Sequence, residues 1–284
     1  MGVIYKKSSK FASQKQRSME QQTQQYTLEK VGRYGFMAEP FHCDFNAQLM
    51  LGHLGNHMLN AADFHSSDRG FGMLYLNTIH KTWVLSRLAI EMERMPRAYE
   101  RFDIETWVEN AVRFFTNRNF AVVASDGSAY GYGRSVWAMI DTETRQPQNL
   151  LDIHDGSLLQ YVDREKPCPI NKGTRAPIPS HAEWMRSVAT NYSDVDMNGH
   201  INSVKYIEHI LDLWPLDWYK YHAVKRFDVA YVAEAHAGDV LHFFGSTVDN
   251  ATFAIRVTRT SGNQSRDEGI EVCRCHVSFV DHES

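Results

Sequence analysis

The stretch Asn191 to Leu213, NYSDVDMNGHINSVKYIEHILDL, decides the fold. Its second part places Ile201, Val204, Ile207 and Leu211 at helical spacing, with Trp214 just beyond, so one face of a helix turns to a core. Its first part is polar, and Asp196, Asn198 and His200 recur at two-residue intervals. Alternate side chains of extended backbone share one face, so the three approach the helix start together. There, free backbone N–H groups and the positive end of the dipole favour an oxygen that is gaining negative charge. A histidine can donate to that oxygen, an asparagine can hold a water or the carbonyl, and an aspartate can orient its neighbours. Ordinary capping accounts for one Asp or Asn, not for all three residues.

Asp194, Asp196, Asn198 and Gly199 also match the opening of a calcium-binding EF-hand loop. That reading fails because its twelfth position, which must supply a bidentate Glu, is Lys205, and the helix periodicity starts inside the supposed loop. No metal is expected.

Working outward, Arg226 to Val232, Val240 to Val248, Thr252 to Thr260 and Ile270 to Val280 alternate like strands. The first half repeats this order: a short extended entry, a helix from about Ala47 to His65, and strand-like runs from Trp83 to Glu93, Phe102 to Val112, Phe120 to Ser125 and Tyr132 to Asp141. Asp126-Gly127 and Gly262-Asn263 stand where hairpin turns would. Four of the eight prolines, Pro167, Pro169, Pro177 and Pro179, fall in DREKPCPINKGTRAPIPS, which predicts an extended linker. The expected layout is a disordered tail over 1–24, an N-terminal unit over 25–158, a linker over 159–182 and a C-terminal unit over 183–284. Asp44-Phe45-Asn46-Ala47-Gln48 precedes the first helix as Asp196-Met197-Asn198-Gly199-His200 precedes the second. Arg87-Leu88-Ala89-Ile90 can likewise be laid over Arg226-Phe227-Asp228-Val229. A helix followed by a long antiparallel sheet, occurring twice, predicts a tandem α+β fold in which two sheets wrap two central helices.

Composition narrows the function. With 284 residues, 43% hydrophobic, and a net charge of -4, the chain can build a real core and lacks the basic excess expected of a nucleic-acid binder. No stretch is apolar enough for a membrane helix, so no membrane insertion is expected. Cys43, Cys168, Cys273 and Cys275 form no CxxC pair and are expected as reduced thiols in a cytoplasm-like compartment. A transit segment in residues 1–24 is ranked below a plain disordered tail. His53 and His57 have metal-ligand spacing but lack the Glu of a zinc-protease motif, and are expected as helix-surface or cavity-edge histidines.

The segment SDVDMNGHINSVKYIEHIL resembles the Asp-x-Asn-x-His-x-Asn-x-x-Tyr stretch of the acyl-acyl carrier protein thioesterases of plants and bacteria, here Asp196, Asn198, His200, Asn202 and Tyr206. TWVLSRLAIEMERMP, FDIETWV and GRSVWAMIDTETRQP resemble that family's N-terminal strands, and the similarity runs from about Tyr26 to the C-terminus. The resemblance implies an α+β double hotdog fold. It also implies hydrolysis of fatty acyl-acyl carrier protein to free fatty acid, ending chain elongation, with no cofactor. In DVAYVAEAHAGDVLHF it points to Glu234 as the family's acidic residue. The next position, a cysteine in plant members, is Ala235, so a thiolate nucleophile there is excluded.

By this resemblance Glu234 is the general base or water holder, Asn198 positions the water, and His200 with Asp196 polarises the thioester carbonyl. His200 falls opposite Gln48 and Glu234 opposite Met95, so the first half is expected to be a degenerate copy. It would supply an acyl cavity, for which Leu54, Met58, Met73 and Trp83 are the candidates. The implied partner is an acyl carrier protein bearing a fatty acyl chain. Its acidity demands a basic surface, with Lys81, Arg113, Arg118 and Arg134 as contributors. A homodimer stays open, and a bacterial-type cytoplasmic location is preferred over a plastid one. The rivals are an acyl-CoA thioesterase of the same fold, a catalytically silent acyl-binding protein and a hotdog dehydratase.

Overall fold

Alternating apolar side chains become strands in every place the sequence marks them, and each half adds one strand ahead of its helix. The computed structural model describes residues 28–282, so the tail expected over 1–24 lies outside the described residues. The first half comprises β1 (Gly32–Met37), α1 (Leu51–Asp68), α2 (Met73–Thr78), β2 (Lys81–Met92), β3 (Arg101–Ala111), β4 (Phe115–Ala124) and β5 (Ala129–Asp141). The second comprises β6 (Glu183–Ala189), α3 (Ser203–Leu211), β7 (His222–Tyr231), β8 (Val240–Thr247), β9 (Thr252–Thr260) and β10 (Ile270–Asp281). Short 3-10 turns precede the two long helices at Pro40–His42 and Tyr192–Asp194, and a kinked 3-10 segment spans Leu150–Tyr161.

The two expected sheets are fused into one. Ten strands run in the order β1-β3-β4-β5-β2-β7-β10-β9-β8-β6, so the second five repeat the order of the first five in reverse. The join is an antiparallel pairing of β2 with β7 in which Ala89 faces Asp228. These two positions are equivalents in the repeat overlay, so an approximate twofold axis passes between them. A strand left at that edge would expose unpaired N–H and C=O groups, and here each half covers the edge of the other. Arg226 bridges the seam, pairing with Glu91 of β2 at 2.6 Å and with Asp228 of its own strand at 2.6 Å.

Both long helices lie on one face of this sheet. Leu88, Ile90, Phe227 and Val229 of the seam share a core with Leu54 and Met58 of α1 and Tyr206, Ile207 and Ile210 of α3. Close approach of the helices needs small residues: a Cβ added at Gly52 would lie 2.7 Å from Glu208 Cγ, and one at Gly55 3.2 Å from Ile207 Cδ1. The Pro-rich segment crosses the opposite face at the seam. Thr174 N–H donates to Asp228 Oδ1 at 3.3 Å and Arg226 donates to the Asn171 carbonyl at 3.1 Å, while Cys168, Ile170 and Ala176 are buried. No helix of the described residues is long and apolar enough to cross a membrane.

Candidate active site

The polar run ahead of α3 folds into a turn organised by Asp196. Its Oδ1 accepts the N–H groups of Asn198 at 2.8 Å and His200 at 3.2 Å, and Gly199 takes a left-handed φ of 81° that favours glycine. Asn202 caps the helix by accepting Val204 N–H at 3.0 Å. A bridge between His200 and His236 then ties the turn to the loop after β7, where Glu234 lies. The result sets His200 Nε2 3.3 Å from Glu234 Oε2. The other carboxylate oxygen, Oε1, is held by the guanidinium of Arg145.

Two cavities meet at this point. A large open one of about 970 Å³ is lined by Asp196, Asn198, His200 and Glu234, and a second of about 270 Å³ runs along α1. Asp196, Asn198, Ser203, Trp83 and Leu85 line both. Tyr206 reaches the large cavity with a buried hydroxyl that has no well-formed hydrogen bond among the described residues. Burial also raises the Tyr206 pKa, so the phenol stays protonated and can donate.

The four residues expected at the site therefore come together, but Asp196 engages backbone N–H groups through Oδ1 rather than the His200 ring. Of the expected acyl-cavity residues, Met73 and Trp83 line the second cavity, whereas Leu54 and Met58 line neither and are fully buried in the core. The reason is helical phase: the cavity follows Asn56, Leu59, Asn60 and Asp63, on a different face of α1 from the one that meets the sheet. Two of the arginines expected to dock a carrier protein are also misplaced. Arg118 is buried in the second cavity, donating to Thr106 Oγ1 at 3.2 Å and Ser66 Oγ at 2.9 Å, and burial lowers its pKa to about 9, so it remains a cation at neutral pH. Arg134 is largely covered and directed at Glu109 and the Cys168 carbonyl. Arg113 is exposed and Lys81 partly so.

The first half contains an equivalent turn. Asp44 Oδ1 accepts Asn46 N–H at 2.8 Å and Gln48 N–H at 3.0 Å, and Gln48 bridges Arg97 as His200 bridges His236. Gln48 thus occupies the place of His200, and the same register puts Met95 in the place of Glu234. That copy has neither an imidazole nor a carboxylate for proton transfer.

Arg145 and His236 were not legible in the sequence. Arg145 comes from the turn after β5, in the other half of the chain, and no local spacing links it to Glu234. His200, Glu234 and His236 bring ligand atoms within 4.8 Å of one another. The Arg145 guanidinium already supplies the positive charge there, so the cluster suits proton transfer better than a cation. A nucleophilic thiol has no place at the site. Ala235 is fully buried in the core, and Cys273 and Cys275 are buried with pKa values pushed up by that burial.

Comparison with known proteins gives the family and the fold. Residues 33–154 match the model of the acyl-ACP thioesterase N-terminal domain and residues 179–279 that of the C-terminal domain. Among solved structures, an acyl-ACP thioesterase from Bacteroides thetaiotaomicron is 49% identical with a TM-score of 0.80, covering 88% of this chain and 98% of that one. The 12:0-ACP thioesterase of Umbellularia californica shares the fold at a TM-score of 0.75 and 21% identity, over 89% of this chain and 98% of that one. The chloroplastic oleoyl-acyl carrier protein thioesterase 2 of Arabidopsis thaliana is 24% identical over 242 residues, 80% of this chain. The chain spans 66% of that relative's length, and 57% of the Coriandrum sativum oleoyl-acyl carrier protein thioesterase. With both domain models matched, one on each half of the fused sheet, the chain belongs to the acyl-ACP thioesterase family.

Proposed function

We propose that the protein hydrolyses the thioester of a fatty acyl-acyl carrier protein, releasing free fatty acid and so ending elongation. The observation that carries this reading is the His200–Glu234 pair in the wall of a large open cavity, which shares Asp196 and Asn198 with a smaller one beside α1. The pantetheine arm enters through the open cavity, and the acyl chain lies in the narrower one, against Trp83, Met73, Phe71 and Leu59.

In this mechanism Glu234 Oε2 accepts a proton from water held with the help of Asn198, and the water oxygen attacks the thioester carbon. His200 Nε2–H donates to the carbonyl oxygen as it becomes negative, beside the N-terminus of α3. When the tetrahedral intermediate collapses, the C–S bond breaks and the thiolate leaves with the electron pair. The proton taken by Glu234 passes to the sulfur, giving carboxylic acid and free thiol. No metal is required, because the thiolate is a good leaving group and the remaining work is proton transfer and oxyanion stabilisation. Asp196 acts through the backbone as a positioning residue. The unit over 183–284 supplies the acid–base groups, and the unit over 25–158 supplies the acyl cavity and Arg145, with 159–182 as the connection. A bacterial-type cytoplasmic location is part of this proposal, and the 49% identical bacterial relative supports it over a plastid one.

The test is release of free thiol from acyl-acyl carrier protein, side by side with matched acyl-CoA. Turnover on the carrier-protein substrate, lost in His200→Ala and in Glu234→Ala, is the expected result. Clear preference for acyl-CoA would transfer the reading to the sister activity, and unchanged turnover in both variants would remove the catalytic assignment.

A further inference from the structure

Ahead of α1, on the 3-10 turn Pro40–His42 and its N-cap, a second group of side chains converges that the proposed reaction does not use. Glu39 Oε2 lies 3.3 Å from His42 Nδ1 and 3.5 Å from His57 Nε2, and all three ligand atoms fall within 4.8 Å of one another. None of the three lines either cavity. Zinc bound by His nitrogen and carboxylate oxygen has arms of roughly 2.0 to 2.2 Å, and a tetrahedron with such arms has edges of about 3.4 Å. The two separations from Glu39 Oε2 are therefore close to the edges of such a tetrahedron.

The repeat explains why the ligands stand here. The equivalent of His57 in the second half is His209, and that of His42 is Asp194. There the buried pair is complete without help, with His209 Nε2 3.1 Å from Asp194 Oδ1. In the first half the aspartate is replaced by a second imidazole. His57, 8% exposed, is left with a buried Nε2 whose neighbour Glu39 Oε2, at 3.5 Å, does not form an aligned hydrogen bond with it. Such an atom is destabilising unless something satisfies it.

We propose that Glu39, His42 and His57 bind a divalent transition-metal ion of the zinc type, which ties the turn before α1 to the helix as the Asp194–His209 pair does in the second half. Imidazole coordinates in its neutral form, and burial lowers the pKa of His57, which favours that form. Burial raises the pKa of Glu39, but its own backbone N–H, His42 and His57 outweigh this and hold the group below the ordinary carboxylate value, so it is anionic. His53 stacks on the His42 ring with centroids 4.1 Å apart and steadies it, and is itself kept neutral by burial. The helical spacing of His53 and His57 is thus not what makes the site. Glu39 and His42 complete it, from a turn that carries no metal motif. The contrast with His200, Glu234 and His236 is electrostatic, since no guanidinium occupies the Glu39 carboxylate among the described residues.

The experiment titrates Zn²⁺ into the full chain after stripping with a chelator, read by calorimetry and by Tm, with Co²⁺ absorption reporting coordination. The expected result is one tight equivalent that raises Tm. It should be weakened by at least roughly tenfold in His42→Ala and in His57→Gln, and retained in His236→Ala. His42 is half-exposed, so its alanine variant keeps the fold, which far-UV circular dichroism checks. Absence of a tight equivalent, or one that survives His42→Ala and vanishes in His236→Ala, overturns the proposal. Neither outcome depends on thioester turnover.

Discussion

The guanidinium of Arg145, carried by the first half, closes on the carboxylate of Glu234 in the second. It takes one oxygen and leaves the other facing His200 at 3.3 Å. Arg145→Ala is expected to lower kcat by roughly tenfold or more, because a misoriented carboxylate loses part of its acid–base contribution. The pair is half-exposed, so its loss should move stability by under about 1 kcal/mol. Steady-state kinetics with a thermal melt separates the two effects, and a large fall in Tm with unchanged kcat would contradict the positioning role.

Thiol chemistry should be irrelevant to turnover. None of the four cysteines lines either cavity, and burial pushes the Cys273 and Cys275 thiols up, away from the reactive thiolate. Iodoacetamide treatment of the folded protein is expected to leave the hydrolysis rate within experimental error. Inactivation that tracks labelling of one cysteine would show that a sulfur takes part.

Arg118, which makes no direct ion pair among the described residues, places a cation in a cavity assigned to an apolar chain. Exchanging it for Met should make the lining more apolar and free the space its head group fills. Preference is then expected to move toward longer acyl chains, at roughly 1 kcal/mol for each further methylene that becomes buried. Relative kcat/KM on a graded series of acyl-acyl carrier proteins reads this directly. An unchanged profile would mean that the chain does not reach Arg118.

Acid should destabilise the fold through His65. Burial, then the nearby Arg118 and Arg69, drive its pKa down to about 2, against the pull of a hydrogen bond to the Lys30 carbonyl. The folded form stays neutral while the unfolded form takes a proton below about 6.5. Stability from this group is therefore complete above that pH and is lost as pH falls. The loss is about 1 kcal/mol between pH 6.5 and 5.5. Urea midpoints across that range should fall, and His65→Gln should flatten the slope.

Ala47 and Tyr99 hold left-handed backbone, with φ of 56° and 70°, where the second half has Gly199 and Gly238 at 81° and 90°. Such a conformation costs a non-glycine residue roughly 1 to 2 kcal/mol. Ala47→Gly is expected to stabilise the chain by on the order of 0.5 kcal/mol after the added freedom of the unfolded state is subtracted. Denaturant unfolding measures it, and a destabilised variant would show that the alanine methyl makes a compensating contact.

Much of the fold was legible because it rests on local periodicity. Thr252–Thr260 is a strand over the span marked by alternation, and the helix expected from about Ala47 to His65 forms as Leu51–Asp68, its start delayed because Asp44 turns the preceding residues. Fusion of the two sheets was not legible, since alternation reports which face a strand buries and not which strand lies beside it. The site divides in the same way. Asp196, Asn198 and His200 share one turn and could be found by spacing. Glu234 was reached only through the family resemblance, and Arg145, 89 residues away from it along the chain, is a product of tertiary folding. Leu54 and Met58 were misassigned because a cavity-lining side chain and a core side chain have the same composition.

The pairing of Ala89 with Asp228 has a consequence for how such a tandem chain can change. Two strands that meet at equivalent positions have the geometry of a symmetric dimer interface, and here a covalent connection holds them at a fixed high local concentration. Tethering removes the requirement that both partners carry the same sequence. The first copy can then carry Gln48 and Met95 where the second carries His200 and Glu234. Assembly of the site also becomes independent of dilution, because Arg145 and Glu234 arrive on one polypeptide.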